Sequence, residues 1–270
     1  LEGLTSKNIP TYLVSGRFYE TQFLFKKRGA LIRKSLKAFT HFFVQDENSK
    51  ELLASIGLRN VTITGDTRFD RVSELSTPLG FMETFAKDRF CVVAGSIWPK
   101  DFELIKAAIQ DSDKNTCWLL APHELHPGSI NHMAETISEK VQRYSKLEIE
   151  KLPETRVLIL DTIGLLSACY SSAQMAYVGG GMGISGLHNV LEPAAAGVPI
   201  IIGKNYQKFD EAKEMIRLGG MYSCKNEKSF SETVSRLTAD KLQAEKIGKN
   251  NLDFVNAQKG ATQKIIGFLK

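Results

Sequence analysis

Short runs rich in Val, Ile, Phe and Thr alternate along the chain with longer stretches whose apolar residues recur at helical spacing. That alternation is the pattern of an α/β fold with parallel sheets. In the first part of the chain it predicts strands at residues 11–15, 41–45 and 61–64. Helices are expected near 20–37 and 47–56, the second stopped at Gly57. Between Arg71 and Asp88 the pattern breaks, and Ser76, Thr77, Pro78 and Gly80 punctuate a stretch that reads as a linker or hinge. A second alternation then begins. It predicts strands at 90–94, 116–121, 157–159, 175–178 and 198–202. Helices are expected at 101–110, 126–144, 163–171, 191–196, 208–218, 229–237 and 240–270, the last interrupted near Gly248 and Gly260.

Two units follow from this reading. Residues 89–250 carry roughly five or six β/α repeats, enough for a complete Rossmann-type, doubly wound domain. Residues 1–70 carry about three strands, fewer than such a domain normally holds, so the first domain is expected to be incomplete, with its front preceding Leu1. Residues 71–88 are expected to link the two, and 251–270 to form a terminal helix able to cross back to the first.

Composition narrows the function classes. The chain has 270 residues, 43% hydrophobic and 24% charged, which excludes general disorder. A net charge of +5 is too small to indicate nucleic acid as a partner. No apolar run approaches the roughly 18 residues of a membrane span. Cys91, Cys117, Cys169 and Cys224 are scattered with no C-x-x-C pair; the first three sit in apolar stretches and read as core residues, and reduced thiols and a cytoplasmic setting are expected. No Asp-x-Asp or His/Cys cluster signals a metal, and no cofactor is expected. Charge is uneven, however. Arg17, Lys26, Lys27, Arg28, Arg33, Lys34 and Lys37 face a single acid, Glu20, and are interleaved with Leu24, Leu31, Ile32 and Leu36. Such a basic amphipathic segment either lies on an anionic membrane surface or is the solvated face of a core-packed helix.

The most informative stretch is Tyr177-Val-Gly-Gly-Gly-Met-Gly-Ile-Ser-Gly-Leu-His-Asn-Val-Leu-Glu-Pro-Ala-Ala-Ala-Gly-Val-Pro199. A strand ends in Gly179, Gly180 and Gly181, which let the backbone turn sharply and approach a ligand. A loop then leads through His188 and Asn189 into a short helix. Main-chain amides and the positive dipole end at such a helix start form an anion site. His188 and Asn189 add donors, and Glu192, one turn on, is placed to accept hydrogen bonds from two sugar hydroxyls.

With that block in view, the chain resembles the 3-deoxy-D-manno-oct-2-ulosonic acid (Kdo) transferases, glycosyltransferases of the GT-B fold. The landmarks run along the whole chain: Ile9-Pro10 with Ser15-Gly16-Arg17, Phe43-Val-Gln-Asp-Glu47, Ile63-Thr-Gly-Asp-Thr-Arg-Phe-Asp70, Ala94-Gly-Ser96, Ala121-Pro-His-Glu124, Asp161-Thr-Ile-Gly-Leu-Leu166 and the glycine block. The sequence departs from the family at three places. Ser15-Gly16-Arg17 stands for Asn-x-Arg, Ser96-Ile-Trp-Pro99 for Ser-Thr-His-Pro, and Pro122-His123 for Pro-Arg. The last exchanges a permanent cation for a titratable one.

The resemblance implies inverting transfer of Kdo from CMP-Kdo to a lipid A precursor, at the cytoplasmic face of the inner membrane of a Gram-negative cell. It implies donor contacts from Ser96, Pro122, His123, Gly179, Gly180, Gly181, His188, Asn189 and Glu192. Lys204 and Asn205 would face the cleft and meet the sugar acid, and Arg17 would contact acceptor or phosphate. Trp98 either shapes the same cleft or packs beneath it. Asp161-Thr162 reads as a helix cap near the nucleotide, and the basic segment would meet lipid A phosphates. The family's anchor and the glutamate acting as general base would lie upstream of Leu1. Donor binding without turnover is therefore expected of this stretch, with no catalytic base in it. A GT-B enzyme using a UDP-sugar, or an interaction module that kept the fold without its chemistry, are the other classes left open.

Overall fold

The computed structural model describes residues 2–72 and 78–270. The chain forms two compact units, one of residues 1–71 with 257–270 and one of residues 72–256.

The first unit is a three-stranded parallel sheet of β1 (Tyr12–Gly16), β2 (His41–Val44) and β3 (Val61–Ile63), in that order. Alternation along β2 assigns its two faces. Phe42 and Val44 join Phe18, Leu53 and Leu58 in a core that includes the helix Glu47–Ser55. His41 and Phe43 meet Phe268 on the other face, with ring centroids 4.3 and 5.1 Å away. Phe268 belongs to the helix Ala261–Leu269, so residues 257–270 pack into this unit. Asp70 holds that helix by its start: its carboxylate accepts the N–H groups of Gly260 and Thr262, each at 2.7 Å. Burial alone would raise the Asp70 pKa, but the hydrogen bonds from Gly260 and Thr262 together with the charge of Lys259 leave the group below its ordinary value.

The segment expected as one helix over 20–37 is broken. Two tight turns, Phe23–Phe25 and Lys27–Gly29, precede a helix of only Ala30–Leu36. Arg33 fixes the bend by donating to the carbonyls of Leu24 and Lys26, both at 2.8 Å. Apolar spacing alone does not report such a bend.

The second unit is a seven-stranded, wholly parallel sheet. Its strands are β4 (Phe90–Ile97), β5 (Thr116–Pro122), β6 (Val141–Arg143), β7 (Val157–Ile159), β8 (Met175–Val178), β9 (Ile200–Gly203) and β10 (Met221–Cys224). They lie in the order β10-β9-β8-β4-β5-β7-β6. The chain starts in the middle at β4, adds β5 beside it, places β6 at the edge with β7 coming back between β5 and β6, and then builds outward from β8 on the other side. This is a doubly wound sheet, and its winding reverses between β4 and β8. Both faces are buried, as parallel sheets require. Val92, Trp118, Val157 and Tyr177 pack with the helices Pro99–Asp111 and Glu227–Ala239, while Val93, Leu119, Leu158 and Ile202 are fully buried as well. All four cysteines are buried free thiols.

Two strands escape the sequence pattern, β6 and β10. Both are short edge strands with half-buried residues, and β6 replaces the second half of the helix expected over 126–144. Of the expected linker, residues 73–77 lie outside the described residues. Residues 80–86 are a helix whose Met82 and Phe85 are fully buried, so they belong to the second unit's core. The helix Lys241–Ala257 runs through Gly248 without a break, and the interruption comes at Gly260. Gly248 lies against the carbonyl oxygen of Gly197, where a methyl group would collide with backbone. It marks a close approach between elements and not a helix end.

Candidate functional site

In a doubly wound sheet the carboxyl ends of the strands flanking the reversal form the ligand crevice. Here those ends are β4 and β8. Ser96 closes β4 in a left-handed conformation, φ +54°, uncommon for a residue with a side chain and frequent where strain serves function. The glycine block leaves β8 alongside it. The Gly179 N–H donates to the Gly95 carbonyl at 2.9 Å, and the His188 N–H donates to the Gly179 carbonyl at 3.2 Å. The loop between Gly181 and His188 therefore leaves and returns at one point.

Several predicted residues converge there. Pro122 ends β5 and His123 follows it, with the His123 N–H on the Ile97 carbonyl at 3.0 Å. The His123 ring lies 4.4 Å from the Trp98 ring, nearly parallel to it, and 4.4 Å from the His188 ring. Trp98 donates its indole N–H to His188 Nε2 at 2.8 Å. The three rings form one cluster beside an apolar slot lined by Ile97, Phe102 and Met133. Burial first, then the neighbouring His123, holds the His188 pKa below the usual imidazole value, against the opposing pull of Asp101.

Asn189 and Glu192 sit together at the start of the helix Leu191–Ala195. Asn189 Oδ1 accepts the Leu191 N–H at 3.1 Å, and its Nδ2 donates to Glu192 Oε1 at 3.1 Å. Asn205 follows β9 and clasps the glycine loop. Its N–H donates to the Gly181 carbonyl at 2.9 Å and its Nδ2 to the Gly183 carbonyl at 2.8 Å. Asn205 thus orders the loop. Lys204, beside it, is exposed.

Arg17 belongs to the first unit, after β1. Its Nε lies 3.5 Å from Asp46 Oδ2, and Asp46 also caps the helix Glu47–Ser55 through the Ser49 N–H. Asp161 accepts from the Ser145 N–H and hydroxyl, at 2.8 and 2.5 Å, and so ties the end of β7 to the turn after β6. The structure gives it no capping contact with the helix that follows.

The Gly180 N–H is engaged within the turn, donating to Asp101 Oδ2 at 2.8 Å. Asp101 is the residue that sequence reasoning missed. It is fully buried. Besides Gly180 it accepts the Trp98 N–H at 3.0 Å and the Tyr177 hydroxyl at 2.7 Å. One carboxylate thereby joins β8, the glycine turn and the start of the helix Pro99–Asp111. Burial and then the Asp101 charge push the Tyr177 pKa far up, so that its hydroxyl remains a donor. A signal was present: Asp101 stands in the first helical turn after Pro99, where an acid accepts the N-cap amide. Its burial was not visible in sequence.

Residues 1–71 match the family model of 3-deoxy-D-manno-octulosonic-acid transferase (kdotransferase). The chain is 26% identical to the 3-deoxy-D-manno-octulosonic acid transferase of Haemophilus influenzae, over 98% of this chain and 64% of that protein. It spans less than two thirds of that relative's length. Among solved structures, the C-terminal CMP-Kdo binding domain of WaaA from Acinetobacter baumannii aligns with a TM-score of 0.53 at 18% identity, covering 70% of this chain and 96% of that one. MnaA of S. aureus, solved with UDP, aligns over 100% of this chain and 71% of its own with a TM-score of 0.63 at 13% identity. The two structural likenesses concern the fold. By sequence this chain is similar to the 3-deoxy-D-manno-octulosonic acid transferases, and its fold is of the GT-B kind.

Proposed function

We propose that the second unit binds CMP-Kdo at the carboxyl edge of its sheet, and that the protein transfers Kdo from it to a lipid A precursor with inversion. The observation that supports this most is the convergence of Ser96, the Gly179–Gly181 turn, His123 and His188 at the point where the winding reverses. Transfer of a sugar acid passes through an oxocarbenium-like state while CMP departs as a phosphate anion. Fixed donors aimed at that anion stabilise the departing charge without reorganising. The Ser96 hydroxyl, the His188 ring N–H and the Asn189 amide supply such donors, and Lys204 adds a cation near the sugar's carboxylate. Glu192 accepts from the ribose hydroxyls, His123 and Pro122 flank the nucleotide, and Arg17 meets acceptor or phosphate in the first unit. None of these residues is assigned as the base that activates the acceptor hydroxyl.

Calorimetric titration tests the reading. CMP should bind saturably and at least about tenfold more tightly than UDP, and His188→Ala with Glu192→Ala should weaken it by about tenfold or more. No saturable heat with CMP, or a preference for UDP, contradicts the proposal. A UDP preference would point to a UDP-sugar enzyme, and indifference to both variants to a module without this chemistry.

The basic segment bears on where the acceptor is met. Lys26, Lys27, Arg28, Lys34 and Lys37 are exposed together with Phe23, Leu31 (78% exposed) and Ile32. Cations around exposed apolar side chains suit an anionic lipid surface. No described helix is long and apolar enough to cross a membrane. The chain is expected to sediment with phosphatidylglycerol vesicles and not with phosphatidylcholine vesicles. Leu31→Glu with Lys27→Glu should release it; equal binding to both lipids would refute this assignment.

A further inference from the structure

The Trp98–His188 contact has a chemical direction. An indole N–H only donates, so His188 Nε2 must accept, and a ring nitrogen that accepts carries no proton. The ring's proton is then on Nδ1. Donor and acceptor are brought together by the same carboxylate. Asp101 accepts the N–H of Trp98 and the N–H of Gly180, and a Cβ on Gly180 would come within 2.9 Å of the His188 ring. His188 is further fixed by its own N–H on the Gly179 carbonyl. The distance from indole to imidazole is thus set from both sides by a group with no exposure to solvent.

We infer that Trp98 and Asp101 are positioning residues for His188, holding its imidazole as the neutral Nδ1–H tautomer, so that it serves the departing phosphate as a hydrogen-bond donor and not as a cation. The role toward phosphate rests on the donor-binding reading above; the tautomer does not. Protonating His188 at Nε2 requires breaking the Trp98 bond. The arrangement suits a phosphate monoester anion bound in a fixed orientation, since a donor with one available N–H is directional where a cation is not.

Nitrogen-15 NMR of histidine-labelled chain at pH 8, without ligand, tests the tautomer. His188 should show a protonated Nδ1 and a bare Nε2. His126 is an internal contrast, because its Nδ1 accepts the Gly128 N–H and its proton is therefore on Nε2. Trp98→Phe keeps an aromatic ring against His123 and removes the N–H together with part of the indole. In it His188 should shift to a mixture rich in the Nε2–H form, and CMP affinity should fall about fivefold. Asp101→Asn should move the tautomer in the same direction. A native His188 protonated at Nε2, or a tautomer unchanged in Trp98→Phe, overturns the inference. So does a shifted tautomer with undiminished CMP affinity, as regards its role toward phosphate. Absence of CMP binding by the native chain would instead defeat the functional reading while leaving the tautomer result standing.

Discussion

Gly180→Ala is expected to abolish CMP binding and to destabilise the second unit by about 2–4 kcal/mol. Gly180 adopts φ +90°, a conformation that disfavours any side chain. A methyl group would also run into the carbonyl oxygen of Gly186 and press on the His188 ring. The first obstacle is backbone and cannot swing aside. Relief therefore requires the glycine turn to move, which pulls its N–H from Asp101 and shifts His188. Gly183→Ala is the matched control. It lies in the same loop at ordinary φ, with its nearest neighbour 3.9 Å from the added carbon, and should change stability by no more than about 0.5 kcal/mol. Thermal melting and CMP titration of the two variants read the contrast. Equal behaviour would show that the turn tolerates a side chain and does not define the site.

Asp101→Ala should be at least as damaging. Its removal orphans three donors at once: the Gly180 N–H, the Trp98 N–H and the Tyr177 hydroxyl. Each buried orphan costs about 1–3 kcal/mol. A total of about 3–5 kcal/mol corresponds to a melting point lower by about 10 °C for a unit of this size. Tyr177→Phe removes one arm only and should cost about 1 kcal/mol. Asp111→Ala, at the exposed far end of the same helix, should melt within a degree or two of the native chain. If Asp101→Ala melted there as well, the carboxylate would not be the tie between strand, turn and helix described above.

The fold was legible wherever a strand was long or buried on both sides. The apolar runs at β4, β5, β7 and β8 leave little alternative to a central parallel strand, and their predicted bounds fall within three residues of those found. The strands that escaped, β6 and β10, lie at the edges, where half-exposed side chains such as Gln142 and Ser223 dilute the pattern. The bend before Ala30–Leu36 escaped for another reason: Arg33 holds it from within, and apolar spacing carries no trace of a guanidinium turned back on carbonyls. For the site, sequence pointed to residues whose type is itself informative, such as the glycines, His188 and Asn189. It did not reveal Asp101, because an acid in a first helical turn usually faces water. What distinguishes this one is the tertiary arrangement of three donors around it.

The first unit is discontinuous in sequence: its sheet is laid down by residues 12–63, but the helix against His41 and Phe43 comes from residues 261–269. During synthesis the seven-stranded unit can mature while this smaller sheet still waits, one face bare, for the ribosome to release the closing turn. Nicking or premature termination near residue 258 would therefore be felt far upstream, in the three-stranded sheet, and would leave the seven-stranded unit largely intact.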